Sequence, residues 1–234
     1  MISADTTVMD EETIVQGKKS KAGLYKIERG SYFCIKRIFD IICSLIGILL
    51  LIPVTLVTKI CYLITGDRKS IFYKQKRIGK NGKEFDFYKL RSMIPNADEV
   101  LAKMLEEDTE QTKEYKLNKK LENDPRVTKV GKVLRKTSLD ELPQFINVLK
   151  GDMSVIGNRP YLPREKEDMG EYFEDITKTK PGLTGLWQVS GRSDVTFEGR
   201  LRLEQEYSKK QSLKMDVKIF FKTFKAVLFS KGAK

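Results

Sequence analysis

Two adjacent carboxylates, Asp140 and Glu141, are the residues of this chain with the clearest capacity for chemistry. They follow the basic pair Arg135-Lys136, and Ser138 precedes Glu141 by three positions. That spacing predicts a capping box at the start of a helix, with Ser138 as the cap and Asp140 in the first turn. Such a helix end favours a carboxylate or a bound phosphate. The same pattern is also ordinary helix punctuation, so the pair alone does not establish a site.

The composition limits the chemistry that the chain can perform. Its 234 residues include 44 Lys and Arg against 32 Asp and Glu, which gives a formal net charge of +12. That excess indicates an anionic partner: nucleic acid, anionic lipid or a phosphorylated substrate. The chain has no His, which excludes a Ser-His-Asp triad, His-ligated zinc and a His general base. Three cysteines without a CxxC pair favour a reducing compartment over a disulfide framework.

A long apolar stretch near the N-terminus indicates association with a membrane. Residues 41–58 carry no charge over 18 positions, which reaches the lower limit for a transmembrane helix. Three interpretations compete: a buried helix of a soluble protein, a helix that crosses the bilayer, and a re-entrant helix. Pro53 predicts a kink, and basic residues on both flanks, including Lys36 and Arg37, favour one membrane face for both ends. On the residues alone, the spanning and re-entrant interpretations stay equally open.

A short hairpin is predicted after the apolar stretch. Residues 70–75 and 83–91 have the composition of two extended segments, and a turn at 79–82 joins them. In a strand, Lys89 and Arg91 would share one face. That face is either part of a site or a solvated basic surface.

Helical patterns account for much of the remaining chain. Residues 96–122 are highly charged and predict one or two surface helices. The helix that opens at Ser138 is expected to end at Gly151, which suits a C-terminal cap. Residues 213–229 predict a basic amphipathic helix at the membrane interface, with packing against the core as the alternative. Its lysines form one stripe: Lys214, Lys218, Lys222 and Lys225.

Two loops could bring arginines to an anionic ligand. Gly157 and Pro160 predict a constrained turn that presents Arg159, and a rigidly held guanidinium suits bidentate binding of phosphate. The glycine-rich stretch around Trp187 could bring its backbone and Arg192 to a ligand. Either loop could equally be a plain packed or solvated turn.

Several stretches together resemble the bacterial sugar transferase family, the monotopic polyprenyl-phosphate phosphoglycosyl transferases. The resemblance begins near residue 36, extends to the C-terminus, and is specific because several long motifs occur in the same order. The motifs are Lys36-Arg37-Ile38-Phe39-Asp40, Phe72-Tyr73-Lys74-Gln75, Tyr88-Lys89-Leu90-Arg91-Ser92-Met93, Thr137-Ser138-Leu139-Asp140-Glu141-Leu142-Pro143-Gln144, Asn147-Val148-Leu149-Lys150-Gly151-Asp152-Met153-Ser154, Gly157-Asn158-Arg159-Pro160 and Gly182-Leu183-Thr184-Gly185.

The resemblance implies an activity at a membrane surface. Members of the family transfer a sugar 1-phosphate from a nucleotide sugar, usually a UDP-sugar, to polyprenyl phosphate and release UMP. This reaction begins the synthesis of capsule, exopolysaccharide or O-antigen repeat units. The implied partners are therefore a UDP-sugar, polyprenyl phosphate and membrane lipid, without nucleic acid, and a homodimer is also considered.

The implied fold class is α/β. The resemblance predicts a monotopic membrane protein with a re-entrant helix kinked at Pro53, interfacial amphipathic helices and a small, mostly helical cytosolic catalytic domain. It would lie at the cytoplasmic face of the bacterial inner membrane. The corresponding division is a polar tail over residues 1–30, a membrane-embedded helix over 31–66 and a catalytic domain over 67–234. Ile52 stands where many relatives have Ser, so the kink is expected to lack a side-chain hydrogen bond.

The resemblance also assigns roles to individual residues. Asp140 is the implied nucleophile, which would form a phosphosugar–aspartate intermediate, and Glu141 is its partner in a dyad that also involves Mg²⁺. The predicted helix start is expected to keep Asp140 ionised, as a nucleophile requires. Asn158 stands where Pro is commoner, and Asn allows more backbone freedom before Arg159. The predicted substrate-binding residues are Lys89, Arg91, Arg135, Asn158, Arg159, Pro160 and Arg192.

Two other functions remain as alternatives. A membrane glycosyltransferase that moves only the sugar would release UDP and would form no phosphosugar intermediate. A non-catalytic basic protein could instead bind anionic lipid through charge, and that binding would weaken with salt.

Overall fold

The computed structural model describes residues 11–107, 109–118, 121, 123–191 and 195–229. Within these residues, nine α-helices accompany two small two-stranded sheets. The chain divides into two compact units, residues 1–39 and 40–234. The first helix, α1 (Glu11–Ile64), contributes to both units.

The apolar stretch lies in α1. Residues Arg29–Ile64 are long and apolar enough, by length and composition, to cross a membrane. Only 22 % of their most apolar 18-residue window is buried, which argues against the core helix of a soluble protein. Length and exposure are alike for a spanning and a re-entrant helix, so the re-entrant geometry stays a prediction. The exposed apolar side chains after residue 40 are Ile42, Leu45, Ile46, Leu49, Leu50, Ile52, Leu56, Val57, Ile60, Leu63 and Ile64.

Pro53 lies inside α1, and the helix continues on both sides of it. Proline has no backbone N–H, so this turn lacks one hydrogen bond of the helical ladder. Beside it, the hydroxyl of Thr55 donates to the carbonyl oxygen of Ile52 at 2.7 Å. The expectation that the turn lacks a side-chain hydrogen bond is therefore wrong, because Thr55 supplies one from the following turn.

The first residues of α1 belong to the predicted polar tail, which stays a prediction. The helix begins at Glu11, so residues 11–30 are helical although they show no clear amphipathic period. These residues contain no Pro, and a helix that is already formed in the apolar stretch extends at little cost. Propagation from a stable helix thus explains structure that the local pattern does not predict.

The predicted hairpin is confirmed. Strand β1 (Phe72–Ile78) pairs antiparallel with β2 (Glu84–Leu90), and a 3₁₀ turn over Lys80–Gly82 joins them. Tyr73 lies opposite Lys89 in the register. Because side chains alternate along a strand, Tyr73, Gln75 and Arg77 project from the same face of the hairpin as Lys89.

Three helices follow the hairpin. The predicted surface helices are confirmed as α2 (Ala97–Glu106) and α3 (Glu110–Asn118). A buried ion pair of 2.7 Å between Arg126 and Asp124 then leads into α4 (Lys129–Lys136). The Thr128 hydroxyl caps α4 by accepting the Gly131 backbone N–H at 2.9 Å.

Helix α5 (Gln144–Lys150) ends where the sequence predicts. Gly151 has a φ of 91°, and its N–H bonds to the carbonyl oxygen of Asn147, as in a left-handed C-cap. The turn before α5 packs into a core that α1, β2 and α4 share. Its members are Leu51, Leu90 and Leu134, surrounded by Val54, Val130, Leu139, Leu142 and Ile146.

Two close contacts fix α1 beyond residue 40 to the rest of its unit. A Cβ at Gly47 would lie 2.3 Å from the Phe145 ring, so α1 and α5 approach closely only because Gly47 has no side chain. Asp40 is buried, and its carboxylate accepts hydrogen bonds from the Ser154 hydroxyl at 2.9 Å and the Val155 N–H at 2.8 Å. A charge buried with such partners sets the register of the helix.

The second sheet corrects one prediction. Strand β3 (Ser154–Ile156) pairs parallel with β4 (Gly182–Thr184), and a bridge between Asn158 and Pro181 extends the pairing. Gly157 and Asn158 therefore pair with residues 181–184, and the predicted constrained turn over 157–160 is not formed. A Cβ at Gly157 would lie 2.4 Å from the Lys180 carbonyl oxygen, so the glycine is needed for this close pairing.

Among the described residues, four further helices complete the fold, and the last of them packs against both strands of this sheet. They are α6 (Lys166–Met169), α7 (Tyr172–Thr177), α8 (Phe197–Lys210) and α9 (Leu213–Phe229). A second core joins α6, α7 and α8 to the end of β1. Its buried members are Ile78, Tyr161, Met169, Ile176 and Leu201.

Helix α9 matches the predicted C-terminal helix. It buries Asp216 and Ile219 against the unit, whereas Val217, Phe221 and Phe224 are 46 %, 66 % and 58 % exposed. The lysines Lys214, Lys218, Lys222 and Lys225 are also exposed. This exposure favours an interfacial helix over one whose apolar side is consumed by core packing.

Glu204 on α8 is fully buried, and its Oε1 accepts the backbone N–H of Arg159 at 2.9 Å. Burial raises the pKa of Glu204 to about 7, and the Arg159 N–H only partly opposes this. The folded protein therefore holds a proton between pH 4.5 and 7 that the unfolded chain has released. Stability should fall as pH rises through this window.

We expect Glu204→Gln to unfold at a higher temperature than the wild type at pH 8, because the amide is never charged. The gain should be on the order of 3 kcal/mol at most and should disappear near pH 4.5. Thermal unfolding of both proteins in detergent across this pH range measures it. A glutamine variant that is less stable at pH 8 would contradict the assignment.

Candidate active site

Asp140 and Glu141 lie on a short 3₁₀ turn, Leu139–Glu141, between α4 and α5. Asp140 is 6 % exposed, whereas the Glu141 side chain is 48 % exposed. Leu139 packs into the core beside α1, so the turn has a fixed base. The two carboxylates are therefore held at the edge of the core, one enclosed and one facing solvent.

The predicted capping box does not form. Ser138 has a φ of 57° and makes no side-chain cap, although its carbonyl oxygen accepts the Glu141 N–H at 3.2 Å. An N-cap residue needs an extended backbone, whereas Ser138 is left-handed because it reverses the chain at the end of α4. Ser138 cannot have the left-handed backbone that ends α4 and the extended backbone of an N-cap at the same time.

Lys89 contacts both carboxylates. Its ammonium lies 2.9 Å from Glu141 Oε1 and 3.7 Å from Asp140 Oδ2. It also lies 5.7 Å from the centre of the Phe87 ring, so it stands over an apolar wall. The hairpin thus brings the half-buried ammonium of Lys89, one of the predicted substrate-binding residues, to the dyad.

The surroundings move the two carboxyl pKa values in opposite directions. Burial raises the pKa of Asp140 above its ordinary value; Lys89 opposes this and the negative Glu141 adds to it. For Glu141, partial loss of solvent acts upward, but Lys89 and Arg159 outweigh it and the pKa is lowered. Such divergence is typical of paired carboxylates with different tasks.

The expectation that a helix N-terminus keeps Asp140 ionised is wrong. The turn has only three residues, and burial acts against the charged form. Nearby cations supply the opposing effect, with Lys89 first and Arg135 weaker. Nearby side-chain charges, with a smaller contribution from a backbone hydrogen bond, therefore favour the ionised form of Asp140.

Arg135 and Arg159 each act through their charge on one carboxylate of the dyad. Arg135, in the last turn of α4, donates from Nε to the Ser92 hydroxyl at 2.9 Å, and its charge favours ionised Asp140. The charge of Arg159 lowers the pKa of Glu141. Arg159 is half-buried, and its Nε has no hydrogen-bond partner among the described residues. These guanidinium groups are suitably placed for an anionic ligand.

Asn158 and Pro160 flank Arg159 but are themselves buried. The Asn158 amide nitrogen lies within hydrogen-bond distance of the Ile176 carbonyl, Thr179 and Ser208. Asn158 is thus anchored by its side chain, and the greater backbone freedom of Asn over Pro is not used here.

Arg77 belongs to the same cluster, although the sequence suggests only a basic flank there. It donates to the Pro160 carbonyl oxygen at 3.1 Å and to Gln75 Oε1 at 2.9 Å. Burial, reinforced by the charge of Arg159, lowers the pKa of Arg77 to about 10. The sequence could have indicated Arg77, because alternation along β1 places it on the same face of the hairpin as Lys89. Nothing in the local sequence indicates Ser92, which accepts the hydrogen bond from Arg135.

Arg91 lies elsewhere. Its guanidinium pairs with Asp67 at 2.8 Å, donates to the Ser70 carbonyl at 2.6 Å and stacks 4.4 Å from the Tyr62 ring centre. It is buried at the junction of α1 and β2, so the structure does not bring it to the dyad. Its hydrogen bond to Asp67, together with its charge, lowers the pKa of that carboxyl group.

The other predicted residues are distributed as follows. Arg192 lies outside the described residues. Lys36 and Arg37 are half-exposed on the part of α1 that belongs to the first unit. Pro53 lies further along, in the apolar stretch of α1.

The dyad offers two carboxylates to a divalent cation. Within the described residues there is no cluster of three or more Asp, Glu, His or Cys that could hold a metal ion by itself. Two carboxylates suit Mg²⁺ that arrives with phosphate oxygens and water, because Mg²⁺ is usually held in that way. Asp140 and Glu141 therefore fit a substrate-borne Mg²⁺ and not a closed protein cage.

The chain matches the family described as bacterial sugar transferase over residues 31–230. It is 46 % identical over 206 residues to the undecaprenyl-phosphate galactose phosphotransferase of Salmonella typhimurium, covering 88 % of this chain and 43 % of that protein. It is 41 % identical over 198 residues to the exopolysaccharide production protein ExoY of Sinorhizobium fredii, covering 85 % of this chain and 87 % of that protein.

A third relative is the UDP-glucose:undecaprenyl-phosphate glucose-1-phosphate transferase of Escherichia coli, 38 % identical over 197 residues. The match covers 81 % of this chain and 39 % of that protein. The chain thus spans less than half of two of these relatives and most of the third. The family match and these identities confirm the resemblance seen in the motifs: the chain belongs to the bacterial sugar transferase family.

Proposed function

We propose that this chain transfers a sugar 1-phosphate from a UDP-sugar to polyprenyl phosphate and releases UMP, the first step of capsule or exopolysaccharide repeat-unit synthesis. The observation that supports it most is the contact of Lys89 with both Asp140 and Glu141. Relatives named as undecaprenyl-phosphate sugar phosphotransferases add to it. The same contact is of no use to a protein that binds lipid by charge alone.

The first step uses Asp140 as the nucleophile. A carboxylate oxygen attacks the phosphorus attached to the sugar, the bond from that phosphorus to the bridging oxygen breaks, and UMP departs with the electron pair. The product is an acyl phosphate, a mixed anhydride between the Asp140 carboxylate and the sugar phosphate. Burial of Asp140 keeps water from the anhydride, and the raised pKa of Asp140 accords with a basic, reactive carboxylate.

In the second step an oxygen of polyprenyl phosphate attacks the same phosphorus. The bond to Asp140 breaks, the carboxylate is restored, and polyprenyl diphosphate sugar forms. The acceptor is already an anion, so little base assistance is needed and the lack of His is no obstacle. Because UMP leaves before the lipid reacts, ping-pong kinetics are expected.

Both steps bring negative charge to a carboxylate pair, so cations decide the rate. Lys89 and Arg159 face Glu141, and Arg135 faces Asp140, so charge that develops on the phosphoryl oxygens meets a positive surface. Asp140 and Glu141 would hold Mg²⁺, which supplies Lewis-acid stabilisation of the diphosphate oxygens.

The membrane parts fit a lipid acceptor. The exposed apolar residues of α1 and the lysine stripe of α9 suit a bilayer and its anionic headgroups. We propose a monotopic arrangement at the cytoplasmic face of the inner membrane, with α1 re-entrant at Pro53.

Nucleotide release tests the function. Protein in nanodiscs with polyprenyl phosphate, Mg²⁺ and a panel of UDP-sugars is expected to release UMP with at least one sugar, only when lipid is present for repeated turnover. EDTA should abolish release. Release of UDP would instead establish sugar-only transfer, and lipid binding without any nucleotide release would favour the non-catalytic alternative.

Substitution of Lys89 tests the contact on which the proposal rests. We expect Lys89→Met to lower kcat by about 10²- to 10³-fold, because a preorganised cation at the phosphoryl group is lost. Lys74→Met is the matched control, since Lys74 lies on the opposite face of the hairpin and pairs only with Asp86 at 3.2 Å among the described contacts. Equal activity of the two variants would rule Lys89 out.

A further inference from the structure

The segment Gly157–Tyr161, here the Arg159 segment, is held at both ends by main-chain hydrogen bonds. The Gly157 N–H donates to the Thr184 carbonyl at 2.8 Å, and the Asn158 carbonyl accepts the Gly182 N–H at 2.7 Å. At the other end, the Tyr161 carbonyl accepts the Ile78 N–H at 2.8 Å. These bonds leave the Arg159–Pro160 peptide region in the middle to be fixed by side chains.

Two charged side chains from distant elements do this. Glu204 on α8 accepts the Arg159 N–H at 2.9 Å, and Arg77 on β1 donates to the Pro160 carbonyl at 3.1 Å. The two bonds lie on consecutive residues and restrain both ends of the Arg159–Pro160 pair. The direction in which the Arg159 side chain leaves the backbone is therefore set from outside the segment.

Glu204 is an unusual choice for filling a core. Its side chain is 0 % exposed, and besides the Arg159 N–H its carboxylate interacts with the buried Tyr161 hydroxyl. A buried carboxylate is costly, and an apolar residue of similar size would be cheaper if packing were its only task. The bond to Arg159 is the only polar contact described for the carboxylate that reaches a residue of the candidate site.

The effect of this bond extends to the dyad. Arg159 is among the charges that lower the pKa of Glu141, so its guanidinium lies near enough to that carboxylate to act on its charge. A shift of the Arg159 backbone by an ångström moves the guanidinium relative to the reacting phosphorus, and misplacement of that size can cost about 100-fold in rate. Glu204 thus acts on the site without touching substrate.

We propose that Glu204 is a positioning residue, whose hydrogen bond to the Arg159 backbone orients the Arg159 guanidinium toward the substrate's phosphoryl group. This proposal rests on the proposed function. A positioning role differs from a purely structural one in a measurable way, because the effect of Glu204 on the rate must then depend on the Arg159 side chain.

A double-mutant cycle tests this. Glu204→Leu should lower kcat/KM for the UDP-sugar by about 10- to 100-fold, whereas Glu204→Gln, whose amide oxygen still accepts the N–H, should stay within about threefold of the wild type. In an Arg159→Ala background, Glu204→Leu should cause no further loss. Glu206→Leu is the matched control on the same helix, because Glu206 pairs with Lys210 at 3.0 Å on the surface.

Three outcomes would overturn the proposal. They are an undiminished rate in Glu204→Leu, an equal loss in Glu204→Gln, and a loss in Glu204→Leu that adds in full to that of Arg159→Ala.

Amide hydrogen exchange gives a readout that does not depend on activity. Peptides that contain residue 159 should exchange faster in Glu204→Leu than in the wild type and Glu204→Gln, with peptides from the β1–β2 hairpin unchanged. An inactive wild type would remove the proposed function, while unchanged exchange in Glu204→Leu would remove the positioning role. The two failures are therefore distinguishable.

Discussion

The contact of one ammonium with two neighbouring carboxylates is the constraint on which the site depends. Asp140 is enclosed and Glu141 is adjacent in sequence, so their negative charges repel. Lys89 relieves that repulsion at 2.9 Å and 3.7 Å, and it comes from a hairpin that packs on the same core as the 3₁₀ turn. Hairpin, turn and the packed part of α1 are thereby coupled to the ionisation of the dyad.

The part of the site around Arg159 is built differently from the part around Lys89. Arg159 does not lie on a helix or in a tight turn but directly follows Asn158, which pairs with Pro181. Its neighbours Asn158 and Pro160 are buried and bonded to other elements. The arginine is therefore a half-buried side chain on a rigid base, and preorganisation of this kind lets a guanidinium stabilise a transition state without moving.

Local patterns predict the elements of this fold better than they predict its site. The hairpin, the Gly151 cap and α9 follow from alternation, turn chemistry and amphipathic spacing, which act over a few residues. The capping box at Ser138 does not form, because Ser138 reverses the chain at the end of α4. The predicted turn over Gly157–Pro160 does not form either, because Asn158 pairs with Pro181.

Distant partners decide the remaining differences. Arg91 and Lys89 share a motif and are two residues apart, yet Asp67 and Tyr62 hold Arg91 away from the dyad. The bond from Arg159 to Glu204 joins residues 45 positions apart and has no signature in either stretch. Motif resemblance identifies Asp140 and Glu141, whereas only the three-dimensional arrangement shows which cations meet them.

The proposed mechanism requires that Asp140 becomes covalently attached to the sugar phosphate. Intact-protein mass spectrometry after incubation with Mg²⁺ and the active UDP-sugar, without lipid acceptor, measures this directly. We expect a mass increase of one sugar phosphate that maps to Asp140, disappears when polyprenyl phosphate is added, and is absent from Asp140→Asn. Lipid-dependent turnover by an Asp140→Asn variant, or an adduct on another residue, would contradict it.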